Sequence, residues 1–341
     1  MNAVGNDVKR DFEHEILAAL QAAGHGFTGV RKLQRLSAGA SQETWLFEAV
    51  GEAQPTPLIL RRGEAGHQQP REGTIDLQAQ SQLADLVREY GVPTPATIAW
   101  LGADCALQPG YIMEYVAGET LPRRILREAR FKGARERMAQ QCGNFLGRLH
   151  NVPKSGLSML PRMSIEEQVR RLRSQYLRQD HPRPVFELAF QWLRRNILPE
   201  PKCCALVHGD FRNGNLMVDE GGVVAVLDWE RAFIGDPMYD LAWLQLGSWR
   251  FGQIDKPVGG FGELTDLYSA YQDAAGSAPD PARVRFWEVF GSLDWGVTTI
   301  TFAQESVADT KSVERAAVGR RASEAEIDLL CVIAAEEERN D

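Results

Sequence analysis

The sequence predicts an α+β protein with two lobes, a sheet-containing N-terminal lobe and a larger, mainly helical C-terminal lobe. Three observations lead to this prediction. A chain of 341 residues is longer than one compact core usually contains. Residues 30–62 show three successive strand patterns. From about residue 134 onward, apolar residues recur at helical spacing instead.

The composition is that of a globular protein and argues against several classes of binding partner. Hydrophobic residues make up 44% of the chain and charged residues 25%, as in an ordinary globular protein. A net charge of −8 argues against nucleic acid as a partner. The five cysteines are scattered and lack a C-x-x-C pair, and neither a signal peptide nor a membrane span is recognisable. We therefore expect a cytoplasmic protein with no zinc site and no membrane partner, and nothing indicates a protein partner.

The N-terminal elements follow from periodicity and turn residues. Apolar residues fall on one face of a helix that ends near Gly24, a residue suited to a helix C-terminus. Strand patterns then cover residues 30–36, 44–48 and 57–62, and a loop of small residues, 37–43, joins the first two. Such a loop either lets backbone N–H groups approach phosphate oxygens or is simply a hairpin turn.

The middle of the chain alternates helix and strand. A helix is predicted over residues 76–89, followed by the Val92-Pro93-Thr94-Pro95 segment. Residues 111–116 form an apolar strand that breaks at Ala117-Gly118. A long amphipathic helix over residues 134–150 ends at His150, which we interpret as a cap or a satisfied core residue.

Residues 206–244 carry the strongest functional pattern. Two apolar runs, 216–218 and 223–227, are joined by a glycine-bearing turn and predict a β-hairpin. Because a hairpin returns beside its start, Asn215 before it and Asp228 after it are expected to be neighbours, together with Asp210. Carboxylate and amide oxygens are the ligands that Mg²⁺ prefers. The alternative interpretation is that these are turn and strand-end residues.

The spacing of these residues corresponds to the phosphoryl-transfer template of kinases. Asp210 and Asn215 lie in H-G-D-x-x-x-x-N, and Asp228 opens D-W-E where protein kinases have D-F-G. On these motifs the chain resembles the aminoglycoside phosphotransferase and choline kinase-like family of small-molecule kinases. The six residues between Asp228 and Gly235 leave no room for an activation loop, which argues against protein substrates.

The resemblance implies a protein-kinase-like fold with ATP and Mg²⁺ as cofactors. It implies an N-lobe over residues 1–113, a hinge over 114–118 and a C-lobe over 119–341. In this scheme Asp210 deprotonates the acceptor hydroxyl, and Asn215 and Asp228 hold Mg²⁺ on the phosphates. His208 is expected to support the loop by hydrogen bonding, and Glu230 to touch the second metal shell.

The same resemblance assigns the nucleotide contacts. Ser41 in the small-residue loop is expected to meet the phosphates, and Arg61 on the third strand to grip them bidentately. Glu114 and Val116 are expected to contact the base through their backbone. The family usually has a Glu on the following helix to orient the strand cation; here Gln80 stands at that position, so either Gln80 or Glu72 is left for the role. Arg61 also fits a solvated strand end.

The resemblance leaves the acceptor open. Residues 155–200 are rich in arginine, which would suit an anionic acceptor such as a hydroxy acid, although solvated helix pairs explain the same residues. Asp236 and Asp240 are interpreted as structural, Asp236 capping a helix near Pro237. We expect a small hydroxylated substrate, from the metabolic branch linked to acyl-CoA dehydrogenases or from the antibiotic-modifying branch. A non-catalytic nucleotide-binding or scaffold protein on the same fold is the alternative, and Gln80 is the feature that favours it.

Overall fold

A computed structural model gives the architecture of the chain. It describes residues 3–36, 42–63, 73–102, 105, 107, 109–179, 181–308 and 313–340, with side chains left out at 3–10, 305–308, 313–315 and 335–340. Two compact units are present, the first comprising residues 1–118 and 224–232 and the second residues 119–223 and 233–341. Among the described helices, none has the length and apolar character needed to cross a membrane.

The first unit is built on one antiparallel sheet with the strand order β1-β2-β3-β5-β4. Its elements are α1 (Ala3–Ala22), β1 (Gly29–Leu36), β2 (Gln42–Val50), β3 (Thr56–Gly63), α2 (Leu77–Glu89), β4 (Thr97–Leu101) and β5 (Gly110–Glu114). Ile16 and Leu20 of α1 are fully buried in the same core as Phe47 and Leu60 of the sheet. The three predicted strands and both predicted helices of this unit are confirmed.

The second unit is mainly helical. Its helices are α3 (Pro122–Arg127), α4 (Lys132–His150), α5 (Ile165–Leu177), α6 (Pro184–Arg195), α7 (Met238–Gln245), α8 (Leu264–Ala275), α9 (Pro281–Ala308), α10 (Val313–Gly319) and α11 (Ala322–Asn340). Strands β6 (Ala205–Val207) and β9 (Phe233–Gly235) pair antiparallel, and β7 (Leu216–Asp219) pairs with β8 (Gly222–Val226), which ends in the first unit. The predicted hairpin is thus confirmed.

Helices α4 and α8 approach each other along two glycines one turn apart. A Cβ atom on Gly143 would lie closer to the Leu267 carbonyl oxygen than real Cβ atoms come to any neighbour. A Cβ atom on Gly147 would lie 2.6 Å from the Cβ of Ala274. Because neither glycine has a side chain, the two backbones can pack directly against each other, and α4 ends at His150, whose side chain is buried.

A buried ion pair anchors the start of α7. Asp236 accepts from the Met238 N–H (3.0 Å), which confirms its predicted capping role. Its second oxygen accepts from the Arg283 Nε and the Trp287 Nε1, both at 2.8 Å. The carboxylate is fully buried, so these charge-assisted bonds replace its lost hydration. They hold α7 against α9 and so position Asp240, one turn further along.

Candidate active site

The loop that carries Asp210 is held in place by the buried carboxylate of Asp240. One Asp240 oxygen accepts from the His208 N–H (2.8 Å) and the other from the Gly209 N–H (3.0 Å). His150 adds a contact of 3.3 Å through Nε2 and meets the Tyr271 hydroxyl at 2.9 Å through Nδ1. Gly209 has φ +81°, a conformation that favours glycine. The structural roles predicted for His150 and Asp240 agree with these contacts.

Hydrogen bonds to both carboxylate oxygens and to the backbone orient Asp210. Its Oδ1 accepts from the Trp243 Nε1 (2.8 Å) and the Arg212 Nε (2.9 Å), and its Oδ2 accepts from the Asn215 Nδ2 (2.7 Å). The Asp210 N–H donates to the His208 Nδ1 (3.1 Å), so that ring nitrogen carries no proton. Because two donors occupy Oδ1, Oδ2 is the oxygen better placed to take a further proton.

Two of these partners were missed in the sequence. Trp243 lies on α7 and is buried, so in the sequence it is indistinguishable from a core aromatic residue. Arg212 is two residues beyond Asp210 inside the motif, and its position was the only signal that could have identified it. His208, in contrast, supports the loop by hydrogen bonding as predicted.

Asp228 lies in the first unit and contacts Arg61. The Arg61 Nη2 and the Asp228 Oδ1 are 3.3 Å apart. Asp228 has φ 66° and ψ 63°, a left-handed conformation that costs a non-glycine residue about 1–3 kcal/mol and is concentrated at functional sites. Burial lowers the pKa of Arg61, but the charges of Tyr111 and Asp228 outweigh burial and raise that pKa above its ordinary value. Arg61 is therefore cationic at every physiological pH.

Gln80 is occupied elsewhere in the first unit. Its side-chain amide donates to the Ile75 carbonyl (2.9 Å), and its oxygen lies 3.5 Å from the Gln42 Nε2. The side chain is 2% exposed. These contacts make Gln80 part of the start of α2, and Arg61 is met by Asp228 instead. Glu72, the other candidate for orienting Arg61, lies outside the described residues.

The remaining residues predicted to contact the nucleotide are Ser41, Glu114 and Val116. Glu114 ends β5, where its N–H donates to the Ala96 carbonyl and its carboxylate accepts from the Ala96 N–H, both at 3.0 Å. Val116 follows the strand and is half-buried. Ser41 lies outside the described residues. The assignments of these three residues to the nucleotide stay predictions.

The donor groups fit the Mg²⁺ that the motif implies. The Asn215 amide directs its nitrogen at Asp210, which turns its oxygen, a hard ligand, the other way. Asp228 supplies a carboxylate whose side chain is 32% exposed. Arg61 Nε is buried with no hydrogen-bond partner in the described part of the chain, and phosphate oxygens would satisfy it. Asn215 belongs to the second unit and Asp228 to the first, so their predicted proximity stays a prediction.

Two of the arginines in residues 155–200 have structural partners. Arg173 pairs with Glu187 (2.7 Å) and lies 4.8 Å over the ring of Phe190. Arg183 pairs with Glu326 at 2.8 Å. For these two residues the interpretation as ordinary ion pairs is favoured over an anionic acceptor lining.

Comparisons with known proteins identify the family. The profile of the phosphotransferase enzyme family matches residues 32–287. Acyl-CoA dehydrogenase family member 10 of Mus musculus is 30% identical over 234 residues, covering 63% of this chain. The matched region spans only 20% of that mouse protein.

Solved structures share the fold. A candidate aminoglycoside phosphotransferase from Ralstonia eutropha has a TM-score of 0.73 and 21% identity, over 94% of this chain and 98% of its own. Aminoglycoside 2'-phosphotransferase-IIIa, solved as a GDP complex, has a TM-score of 0.63 and 14% identity, over 93% and 99% of the two chains. The predicted α+β, protein-kinase-like fold class is thereby confirmed.

Proposed function

Because the chain belongs to the phosphotransferase enzyme family, we propose that it transfers the γ-phosphate of ATP, with Mg²⁺, to a hydroxyl of a small-molecule acceptor. The observation that carries this proposal is the geometry of Asp210. Its Oδ1 is saturated by Trp243 and Arg212, and the loop around it is tied to the buried Asp240. A carboxylate fixed in this way is ready to orient an acceptor hydroxyl and take its proton through Oδ2.

In the proposed reaction the two oxygen ligands and one arginine act on the phosphates. Asn215 and Asp228 would hold Mg²⁺, which when bound neutralises the charge of the β- and γ-phosphates. Arg61, kept cationic beside Asp228, would grip phosphate oxygens with its guanidinium. Because the phosphoryl transition state is loose, positioning and charge neutralisation supply most of the catalysis.

The nucleotide base is assigned to the segment that follows β5. In this proposal residues 1–113 form the N-lobe, 114–118 the hinge and 119–341 the C-lobe. Glu114 and Val116 would contact the base, and Ser41 the phosphates. Glu230 would lie in the second shell of the metal.

We place the acceptor in the metabolic branch of the family and not among antibiotics. The mouse relative carries the name of an acyl-CoA dehydrogenase family member, which supports a metabolite as acceptor. Since the matched region is a fifth of that protein, the activity and substrates of the whole relative come to this chain only as proposals. The positive charge of Arg212 beside Asp210 supports the same choice, because aminoglycosides are polycations that an acidic lining would suit better.

The proposal is tested by thermal-shift titration with ATP and GTP, each with and without Mg²⁺. The wild type is compared with Asp228→Asn, which removes the charge but tolerates the left-handed backbone. Asp219→Asn, an exposed turn residue on β7, is the matched control. Nucleotide at about a hundred times its Kd stabilises the folded state by about 2.7 kcal/mol.

We expect a Mg²⁺-dependent rise in Tm with ATP that persists in Asp219→Asn and disappears in Asp228→Asn. An equal rise in Tm with ATP in the absence of Mg²⁺ would contradict the assignment of Asp228 as a metal ligand. No rise with either nucleotide at concentrations well above millimolar would overturn the kinase proposal and leave the scaffold alternative.

A further inference from the structure

Arg212 is fixed beside Asp210 by contacts on three sides. Its Nε donates to the Asp210 Oδ1 at 2.9 Å, and its guanidinium carbon lies 4.7 Å from the centre of the Trp249 ring. On the third side is Gly214, with φ +118°, where a Cβ atom would lie 2.7 Å from the Arg212 Nη1. The glycine therefore leaves the space that the guanidinium occupies. A cation preorganised in this way is suited to binding a ligand next to the proposed base.

The Trp249 ring beneath Arg212 packs against the ring of a second tryptophan, Trp295. The rings of Trp249 and Trp295 are 4.6 Å apart, and the Nε1 atom of each is buried with no hydrogen-bond partner among the described residues. Trp249 is 2% exposed. A buried donor left unpaired destabilises the folded state, and an indole N–H can only donate. Two unpaired donors on neighbouring rings indicate that a group from outside the protein accepts hydrogen bonds from them.

Arg321 lies over the ring of Trp295. Its guanidinium carbon lies 5.7 Å from the Trp295 ring, its Nε pairs with Glu324 (2.8 Å), and its Nη2 donates to the Ser248 carbonyl (3.1 Å). The side chains of Arg212 and Arg321 are each 25% exposed. The two guanidinium side chains are therefore partly open to solvent at either ring of the tryptophan pair.

We propose that Arg212, Trp249 and Trp295 form the acceptor subsite for an anionic oxygen group, a carboxylate or phosphate carried by the hydroxylated acceptor. This inference rests on the proposed kinase function. The three side chains offer hydrogen-bond donors alone, so their ligand must be an acceptor of hydrogen bonds, and the guanidinium favours a negative charge. Since Arg212 touches both Asp210 and the Trp249 ring, the anionic group and the reacting hydroxyl are separated by a short carbon chain.

The test uses the full chain labelled with ¹⁵N-tryptophan and observes the indole N–H signals. The first probes are straight-chain hydroxycarboxylates that differ in the position of the hydroxyl group. The amide of each is its neutral control, and glycerol phosphate is the phosphate probe. Signals are assigned with Trp249→Phe and Trp295→Phe. Trp100→Phe, an exposed indole in the first unit, is the control.

We expect at least one hydroxycarboxylate, or glycerol phosphate, to move the Trp249 and Trp295 signals and to leave Trp100 in place. The Kd of the neutral amide should be about tenfold or more higher than that of its carboxylate. The Kd of the carboxylate should rise by a similar factor in Arg212→Gln, which is the loss expected for a charged hydrogen bond. A response to the carboxylates identifies a carboxylate subsite, and a response to glycerol phosphate alone identifies a phosphate subsite.

Equal binding of the amides would overturn the anionic assignment. Unmoved indole signals throughout the panel would overturn the subsite and leave the two N–H groups to a buried water. Because the titrations contain no nucleotide, they decide the subsite even if the ATP and Mg²⁺ thermal shift fails. If ATP with Mg²⁺ still raises Tm but the indole N–H signals do not move, the subsite is overturned and the kinase proposal stands.

Discussion

Replacing Asp240 with asparagine tests how the proposed catalytic loop is held. The two oxygens of Asp240 accept separately, one from His208 N–H and the other from Gly209 N–H. Asparagine has one oxygen, so one N–H keeps its acceptor and the other faces an NH₂ group. The lost charge-assisted bond is worth about 1.5–3 kcal/mol, and the stranded buried donor adds about 1–3 kcal/mol. We therefore expect Asp240→Asn to lower the free energy of unfolding by at least about 2.5 kcal/mol.

Urea denaturation followed by tryptophan fluorescence measures this loss. The matched control is Asp219→Asn, because the Gly221 and Gly222 N–H groups both donate to a single Asp219 oxygen that asparagine retains. The control should change the free energy of unfolding by less than about 0.5 kcal/mol. A loss below about 1 kcal/mol in Asp240→Asn, or one no larger than in the control, would refute the reasoning.

Two further predictions concern stability. Gly143→Ala should lower the free energy of unfolding by about 1–3 kcal/mol because its Cβ meets the Leu267 carbonyl, whereas Gly133→Ala, with 3.5 Å to its nearest neighbour, should raise it by about 0.5–1 kcal/mol. Equal effects in chemical denaturation would contradict the close helix contact. Burial raises the pKa of Asp328 above its ordinary 3.8, because the buried carboxyl disfavours its charged form. The protein therefore has its full stability below pH 3.8, where the carboxyl is protonated, and loses part of it as the pH rises through the pKa of the folded state. Asp328→Asn should therefore raise Tm at pH 7 and change it little below pH 3.8; a gain that does not depend on pH would contradict this assignment.

Much of the fold was predictable because it is encoded locally. The apolar face of α1, the strand patterns of β1 to β3 and the glycine-bearing turn between β7 and β8 depend on residues within a few positions of one another. The motif also fixes Asp210 and Asn215 five residues apart on one loop, and their side chains are hydrogen-bonded. Local patterns do not show which distant residues meet. The predicted role of Gln80 in orienting Arg61 depended on such a contact.

Local sequence patterns were enough to predict most elements, the order of the functional residues and the resemblance to a kinase-like family. The residues that surround the functional side chains became visible in the folded chain: Trp243 contacts Asp210 across 33 positions, and Arg61 contacts Asp228 across 167. The physical reason is that a buried tryptophan or aspartate has the same sequence pattern whether it fills a core or holds a reactive carboxylate. Hydrogen bonds between distant segments form only after packing has fixed the backbones, and periodicity within a segment carries no information about that packing.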